Sequence, residues 1–402
     1  MNIVVASAEL LPQIVQFQEG VYFEVHTLIP RMYANNFDLF PFQVSYVGCH
    51  AVPSDGKFDR VLSAFDSIFS PFYGQYGVVG VDRLLKCAPK LSCIVLAHAA
   101  RSGRMDLLRQ YPQVNRDLFQ RVSLVEQAAR FGHLTAVDYL LGNGHPPCVL
   151  DVPAAHGHFA IVQRLHHTTR AFCTPNAMDM AAKNGHLNIV EFLHTYRTEG
   201  CTVAALDDAA KAGHVAIVRF LLVNRTEGGS AYLPDDVAAA GHLGVLHMLH
   251  DAGMRCTSDA MDRAAGHGHF DLVVCLHELD GCSSRAMDLA AENGFMNVVE
   301  FLHNTRHEGC TTYAMDRAAK NGFLDVVRFL HTSRDEGCTT NAVDWAARNN
   351  QVEVVLFLCT HRHEGFTHRA VVDAQTMGHA AVTSILMQHS HLNTTTTMSC
   401  SF

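Results

Sequence analysis

The chain has 402 residues, 48% of them hydrophobic and 17% charged, which excludes a compositionally disordered polypeptide. A formal net charge of -9 argues against nucleic acid as a partner. No run approaches the roughly 20 apolar residues needed to span a membrane. The 13 cysteines are an odd number in a chain too long to need a disulfide framework, so they read as reduced thiols of an intracellular, cytoplasmic or nuclear protein.

The first stretch, MNIVVASAELLPQIVQ, has no basic start and no small-residue cleavage site, so it reads as a poor secretion signal. Residues 1–90 are rich in aromatic and turn residues, among them Tyr22, Phe23, Phe40, Pro41, Phe42, Phe65, Phe69, Pro71 and Phe72. They are expected to form a divergent N-terminal cap or degenerate repeats. The segment Ala8–Val15 resembles the first helix of an F-box, which would imply a substrate adaptor of a ubiquitin ligase.

From about residue 91 to 388 one helical unit recurs. AMDLAAENGFMNVVEFLHNTRHEGCTT begins at Ala286 and AMDRAAKNGFLDVVRFLHTSRDEGCTT at Ala314, a step of 28 residues. A fixed step of that size predicts a stacked solenoid rather than one globular core. Eleven turn positions anchor the units: Gly103, Gly132, Gly157, Gly185, Gly213, Gly241, Gly268, Gly294, Gly322, Asn350 and Gly378. Each lies between two stretches of helical period, where Gly, or failing that Asn, suits a left-handed helix end. The first helix carries alanine pairs such as Ala290-Ala291 and Ala318-Ala319, with a larger apolar residue three positions earlier, as at Met287 and Met315. That spacing makes one face, small enough for a neighbouring helix to approach closely. The second helix has a broad apolar stripe, such as Val298, Val299, Phe301 and Leu302. The connector TxRxEGCT supplies a Gly to stop one helix and a Thr to cap the next. Its Arg306/Glu308 and Arg334/Glu336 pairs are expected to be solvated. Residues 389–402 end in a Thr- and Ser-rich stretch, Asn393–Phe402, expected to form a flexible tail.

The line GCTTNAVDWAARNNQVEVVLFL resembles the ankyrin repeat, with the alanine pair, the Val-Val and the closing Leu in register, as is the Gly-His of other copies. The resemblance implies an all-α solenoid of about eleven helix-turn-helix units and a protein-interaction role through a concave face. Two departures stand out. The unit is shorter than the usual 33 residues, so the β-hairpin fingers are expected to be reduced or absent. Aspartate replaces the family's His at Asp151, Asp179, Asp207, Asp235, Asp262, Asp288, Asp316 and Asp344. Such shortened, divergent arrays resemble ankyrin families expanded in protists.

Repetition also decides how the reactive side chains are read. His133, His158, His186, His214, His242, His269 and His379 follow the turn glycine (Asn350 has Gln351 in that place), where hydrogen bonding within the turn is expected. His166, His194, His250, His277, His303 and His331 close the second helix, where an imidazole is expected to cap carbonyls and its cation to be favoured by the helix dipole. The cysteines Cys173, Cys201, Cys256, Cys282, Cys310 and Cys338 recur once per unit and read as small buried thiols. The eight aspartates read as a structural ladder, each bonding donors of its own or the next repeat. One ligand per repeat does not build a zinc site, and the His363 to His368 segment falls in a connector with the wrong spacing for a zinc protease. No catalytic residue, metal site, cofactor or small-molecule substrate is therefore expected. A metal-dependent enzyme is the alternative from another class.

Columns that build the stack stay fixed, and columns free to recognise a partner vary. The position after the aspartate holds Met180, Asp208, Asp236, Arg263, Leu289, Arg317 and Trp345. Four residues on, the same helical face carries His267, Asn293, Asn321 and Asn349. This stripe is the expected protein-binding surface. Arg263, Arg317 and Trp345, the sole tryptophan, are its anchors, and Asp208 and Asp236 form an oppositely charged end.

Overall fold

A computed structural model describes residues 17–18, 21–22, 25, 28–35, 57–111, 123–168, 171–279 and 282–390. The F-box-like segment Ala8–Val15 and the tail Asn393–Phe402 lie outside the described residues. The chain divides into two compact units, Met1–Thr202 and Val203–Phe402.

In the first unit, a two-residue antiparallel pair, β1 (Phe17–Gln18) and β2 (Val21–Tyr22), precedes helix α1 (Leu28–Ala34) and the long helix α2 (Lys57–Cys87). Helix α2 kinks at Gly77, whose φ of 57° and ψ of -153° belong to a region that essentially only glycine visits. Val25, Leu28 and Met32 are buried together with Leu62, Phe65 and Phe69 of α2. Four helical hairpins follow, with first helices Ser92–Ser102, Leu124–Arg130, Asp151–Ala155 and Pro175–Lys183.

The second unit has seven hairpins. Their first helices are Val203–Lys211, Leu233–Ala240, Ser258–Gly266, Arg285–Glu292, Thr312–Asn321, Thr340–Arg348 and His368–Thr376. Within each unit, first helices pack on adjacent first helices and second helices on adjacent second helices. This is the stacking of an all-α helical-repeat solenoid. The alanine pairs Ala264-Ala265, Ala290-Ala291, Ala318-Ala319 and Ala346-Ala347 are wholly buried, as the close approach of neighbouring helices requires. The connectors 306–311, 334–339 and 362–367 run straight from one hairpin to the next, with no β-hairpin finger among the described residues.

Every anchor residue has positive φ, from 67° to 86° at the glycines and 59° at Asn350. Asn350 is the one described non-glycine residue in that region. The fold needs these glycines for a second reason. At Gly103, Gly132, Gly157, Gly213, Gly241, Gly268 and Gly294 the residue that starts the next hairpin's second helix lays its ring on the glycine. A Cβ at Gly132 would meet the His158 ring at 2.7 Å, and one at Gly294 would meet Phe323 at 2.6 Å. The histidines of this column also bond across repeats. His133 Nε2 pairs with the Arg101 carbonyl at 2.9 Å, and His158 Nε2 with that of Arg130 at 2.9 Å.

The aspartate ladder runs from each repeat to the next. Asp316 accepts the Thr339 amide at 2.7 Å and its hydroxyl at 2.6 Å, and Asp288 binds Thr311 in the same way at 2.7 and 2.8 Å. The threonine hydroxyl in turn accepts the Asn341 amide at 3.1 Å, so one side chain caps its helix and ties down the preceding repeat.

Three expectations need correction. Of the histidines that close the second helix, His166, His277, His303 and His331 face rings of the following repeat rather than capping carbonyls. His303 stands edge-on to Phe329 at 5.3 Å and His277 to Phe301 at 5.6 Å, each ring on the following repeat. Burial lowers the pKa of His166 and His331, which opposes the cationic form. Arg362 points a guanidinium N–H at Nδ1 of His331 at 3.4 Å, an approach that suits a neutral ring, and Arg306 approaches Nδ1 of His277 at the same distance. Phe301 and Phe329 are correspondingly half-buried rather than enclosed. Second, the Arg-x-Glu pairs form but are not freely solvated. Arg306 bonds Glu308 at 2.6 Å with side chains 15% and 33% exposed, while Glu308 accepts the His307 amide at 3.0 Å. Third, only part of the cysteine ladder is fully buried. Cys173, Cys310 and Cys338 are, whereas Cys201, Cys256 and Cys282 are half-buried.

These groups titrate in opposite directions. Glu227 and Glu336 are pulled from the ordinary 4.5 to about 2, chiefly by hydrogen bonds from Arg225 and Arg334. The stability they add is therefore complete above pH about 4.5 and is lost as pH falls toward about 2. Burial, outweighing their hydrogen bonds, raises Asp262, Asp288, Asp316 and Asp344 above the ordinary 3.8. Those carboxyls take up protons in the folded chain before the unfolded one, so mild acidification does not weaken the fold through them. The urea midpoint is expected to fall slightly as pH drops below about 6.5, where the unfolded chain protonates His166 and His331 before the folded one does, and to fall again below pH about 4.5, the second fall being shallower in the Glu227→Gln, Glu336→Gln variant.

Candidate partner-binding face

The variable stripe is carried by the first helices, whose opposite side is fixed by the alanine pairs and the aspartate ladder. Met180 sits half-buried on Pro175–Lys183 in the first unit. The other ten stripe residues belong to the second unit.

The column four residues on is largely committed to the backbone. Asn293 donates its side-chain amide to the Gly266 carbonyl at 3.0 Å, Asn321 to Glu292 at 2.7 Å and Asn349 to Lys320 at 2.9 Å, each reaching the preceding repeat. His267 Nδ1 pairs with the Arg263 carbonyl of its own helix at 2.8 Å. All four side chains remain exposed, but their hydrogen bonds tie the first helices together.

The column after the aspartate is less constrained. Asp236 bridges Lys211 at 2.9 Å and Arg263 at 2.7 Å, and a hydrogen bond from Lys211, ahead of one from Arg263, lowers its pKa. The charge of this end of the stripe is thus partly neutralised within the fold. Asp208 is half-buried beside it. Leu289 faces Gly266, where an added Cβ would meet its side chain at 3.1 Å.

Further along, Arg317 lies 4.6 Å from the Tyr313 ring centroid and 5.0 Å from that of Trp345. Its guanidinium pairs with Glu292 at 3.4 Å, and the Tyr313 hydroxyl donates to the same carboxylate at 3.2 Å. Each such cation–π contact is worth about 0.5–2 kcal/mol, so the cluster is held rigid before anything binds. Trp345 is half-buried.

The stack, its left-handed turns and its alanine-lined first helices have the geometry of one repeat family. A family model described as ankyrin repeats (3 copies) matches residues 127–230 and 286–369. Over those residues the chain carries ankyrin repeats. No curated protein matches it. Ankyrin repeats generally serve as protein–protein interaction modules and are typically non-catalytic. In this ankyrin array, no described helix is long and apolar enough to cross a membrane, and no described cluster of three His, Cys, Asp or Glu side chains converges as a metal site would.

Column comparison alone did not single out Tyr313, Glu292, Lys320 or Arg348. Glu292, Lys320 and Arg348 share one register, two residues before the turn anchor, where charge varies from copy to copy. That variation was the available signal.

Proposed function

We propose that this protein is a non-catalytic interaction scaffold that binds a protein partner on the first-helix, concave face of its second unit. The observation that carries the reading is the aromatic–arginine cluster of Tyr313, Arg317 and Trp345. It presents a half-exposed tryptophan and a stacked guanidinium, the side chains most enriched at binding hot spots, on a rigid helical platform. Within the second unit Asp208, Asp236, Arg263 and Leu289 extend the recognition stripe, with the bonded His267, Asn293, Asn321 and Asn349 framing it. The odd number of cysteines, 13 in the chain, suits reduced thiols of an intracellular protein.

The test is the Trp345→Ala, Arg317→Ala double variant, compared with the parent chain by proximity labelling in cells. Both substitutions lie on the exposed side of the helices, so folding, checked by circular dichroism, is expected to survive. Partners recovered with the parent should fall at least about tenfold, as the loss of a hot-spot pair implies. An unchanged set of partners would sink the assignment of this face.

A further inference from the structure

The first unit contains a worked example of a helix docked on this kind of face. The N-terminal half of α2 packs on Ser92–Ser102. Asp59 of α2 is held by two arginines from successive repeats, Arg101 at 3.0 Å and Arg130 at 3.1 Å. Seven residues on, Asp66 binds His98 Nε2 at 2.7 Å, and Phe65 and Phe69 meet the His98 ring edge-on at 5.6 and 5.2 Å. Arg101 and Arg130 each stand two residues before a turn glycine, Gly103 and Gly132. His98 stands five before. The docked helix thus places one carboxylate between the cations of two neighbouring repeats and sets an aromatic cluster against the variable column.

The same register recurs in the second unit. Lys320 and Arg348 stand two residues before Gly322 and Asn350, and Arg317 and Trp345 stand five before. Arg348 is exposed and Lys320 half-buried, and among the described residues no carboxylate forms an ion pair with either. Thr312–Asn321 and Thr340–Arg348 pack on their own second helices and on neighbouring first helices, and no other described helix covers them as α2 covers Ser92–Ser102. The pair of cations is in place, the aromatic surface is in place, and the acid is missing.

Resting on the functional reading above, we infer that the partner presents an amphipathic helix carrying a carboxylate, clamped between Lys320 and Arg348, with aromatic residues about two to three turns further on against Arg317 and Trp345. Helix α2 gives the pattern, with an acid at one position, an acid or polar group seven residues later, and an aromatic at ten. A carboxylate shared by two cations carries the orientation, since reversing the helix would bring its aromatic face to the charged pair.

The probe is a synthetic peptide with the sequence of residues 57–76, stapled into a helix on the side away from Asp59, Asp66 and Phe69. It is titrated against the full chain, whose own α2 already occupies the first repeats. Saturable micromolar binding is expected, weakened at least about tenfold by Lys320→Glu with Arg348→Glu and regained when Asp59 of the peptide is changed to Lys. Absence of binding, or binding indifferent to both charge reversals, overturns the inference. If that happens while cellular partners are still lost from the Trp345→Ala, Arg317→Ala variant, the clamp is wrong and the face assignment stands. If cellular partners are also retained, both readings fail.

Discussion

Gly294→Ala should destabilise the second unit by about 3 kcal/mol, and Gly378→Ala by only about 1 kcal/mol. The two glycines have nearly the same φ, 76° and 75°, so the left-handed strain of adding a Cβ is common to both. Only Gly294 lies under a ring. Its new Cβ would stand 2.6 Å from Phe323, whereas nothing lies within 4 Å of one at Gly378. Phe323 also begins its helix and cannot retreat without disturbing the turn bonds around it. The difference of about 2 kcal/mol therefore measures the stacking of one repeat on the next, as overpacking costs of about 1–3 kcal/mol suggest. Urea denaturation of the two variants checks it, and equal losses would show that the ring contact contributes nothing beyond strain.

Asp316→Ala should cost a comparable amount, about 3 kcal/mol, through a different route. Asp316 is 4% exposed and accepts both the amide and the hydroxyl of Thr339. Removing the acceptor strands two donors at a repeat junction, at about 1–3 kcal/mol for each group left buried. Asp316→Asn retains one acceptor and should lose about 1 kcal/mol. Thr339→Val removes the other half of the pair and also the cap on Thr340–Arg348. A double-mutant cycle between Asp316 and Thr339 should return a coupling of at least about 1 kcal/mol, since the residues act as one unit. Additive losses would mean that the ladder is decoration on an apolar stack. Hydrogen exchange should show amides on both sides of the junction opening earlier, because each hairpin leans only on its neighbours.

Much of this architecture was legible because eleven copies repeat the same reasoning. A glycine alone says little, but the same glycine at a step near 28 residues, replaced once by Asn350, announces a left-handed turn. The aspartate ladder was legible for the same reason, although only the folded structure shows that each carboxylate reaches a Thr or Ser of the next repeat. The closing histidines misled because sequence gives their place on the helix but not the Phe of the following repeat that faces them. His303 looks like a C-terminal cap until Phe329 is brought beside it. The stripe was partly legible. Variation marked Arg317 and Trp345, but the committed Asn293, Asn321 and Asn349 and the charged pair Lys320 and Arg348 emerge only from geometry. Hydrogen bonds between repeats join residues 27 or 29 apart, a partnership that local periodicity does not reveal.

The junction chemistry makes the hairpins interchangeable parts. Ser283 already binds Asp262 at 3.0 Å through its amide and 2.6 Å through its hydroxyl, in the role that Thr311 plays for Asp288. Excising residues 286–313 would splice Arg285 to Ala314 and leave Ser283 to serve the incoming helix, with Asp262 and Asp316 each still facing a hydroxyl. An array wired this way can grow or shrink by whole modules over generations without inventing a new interface, and its reach toward a partner can change while its joints stay the same.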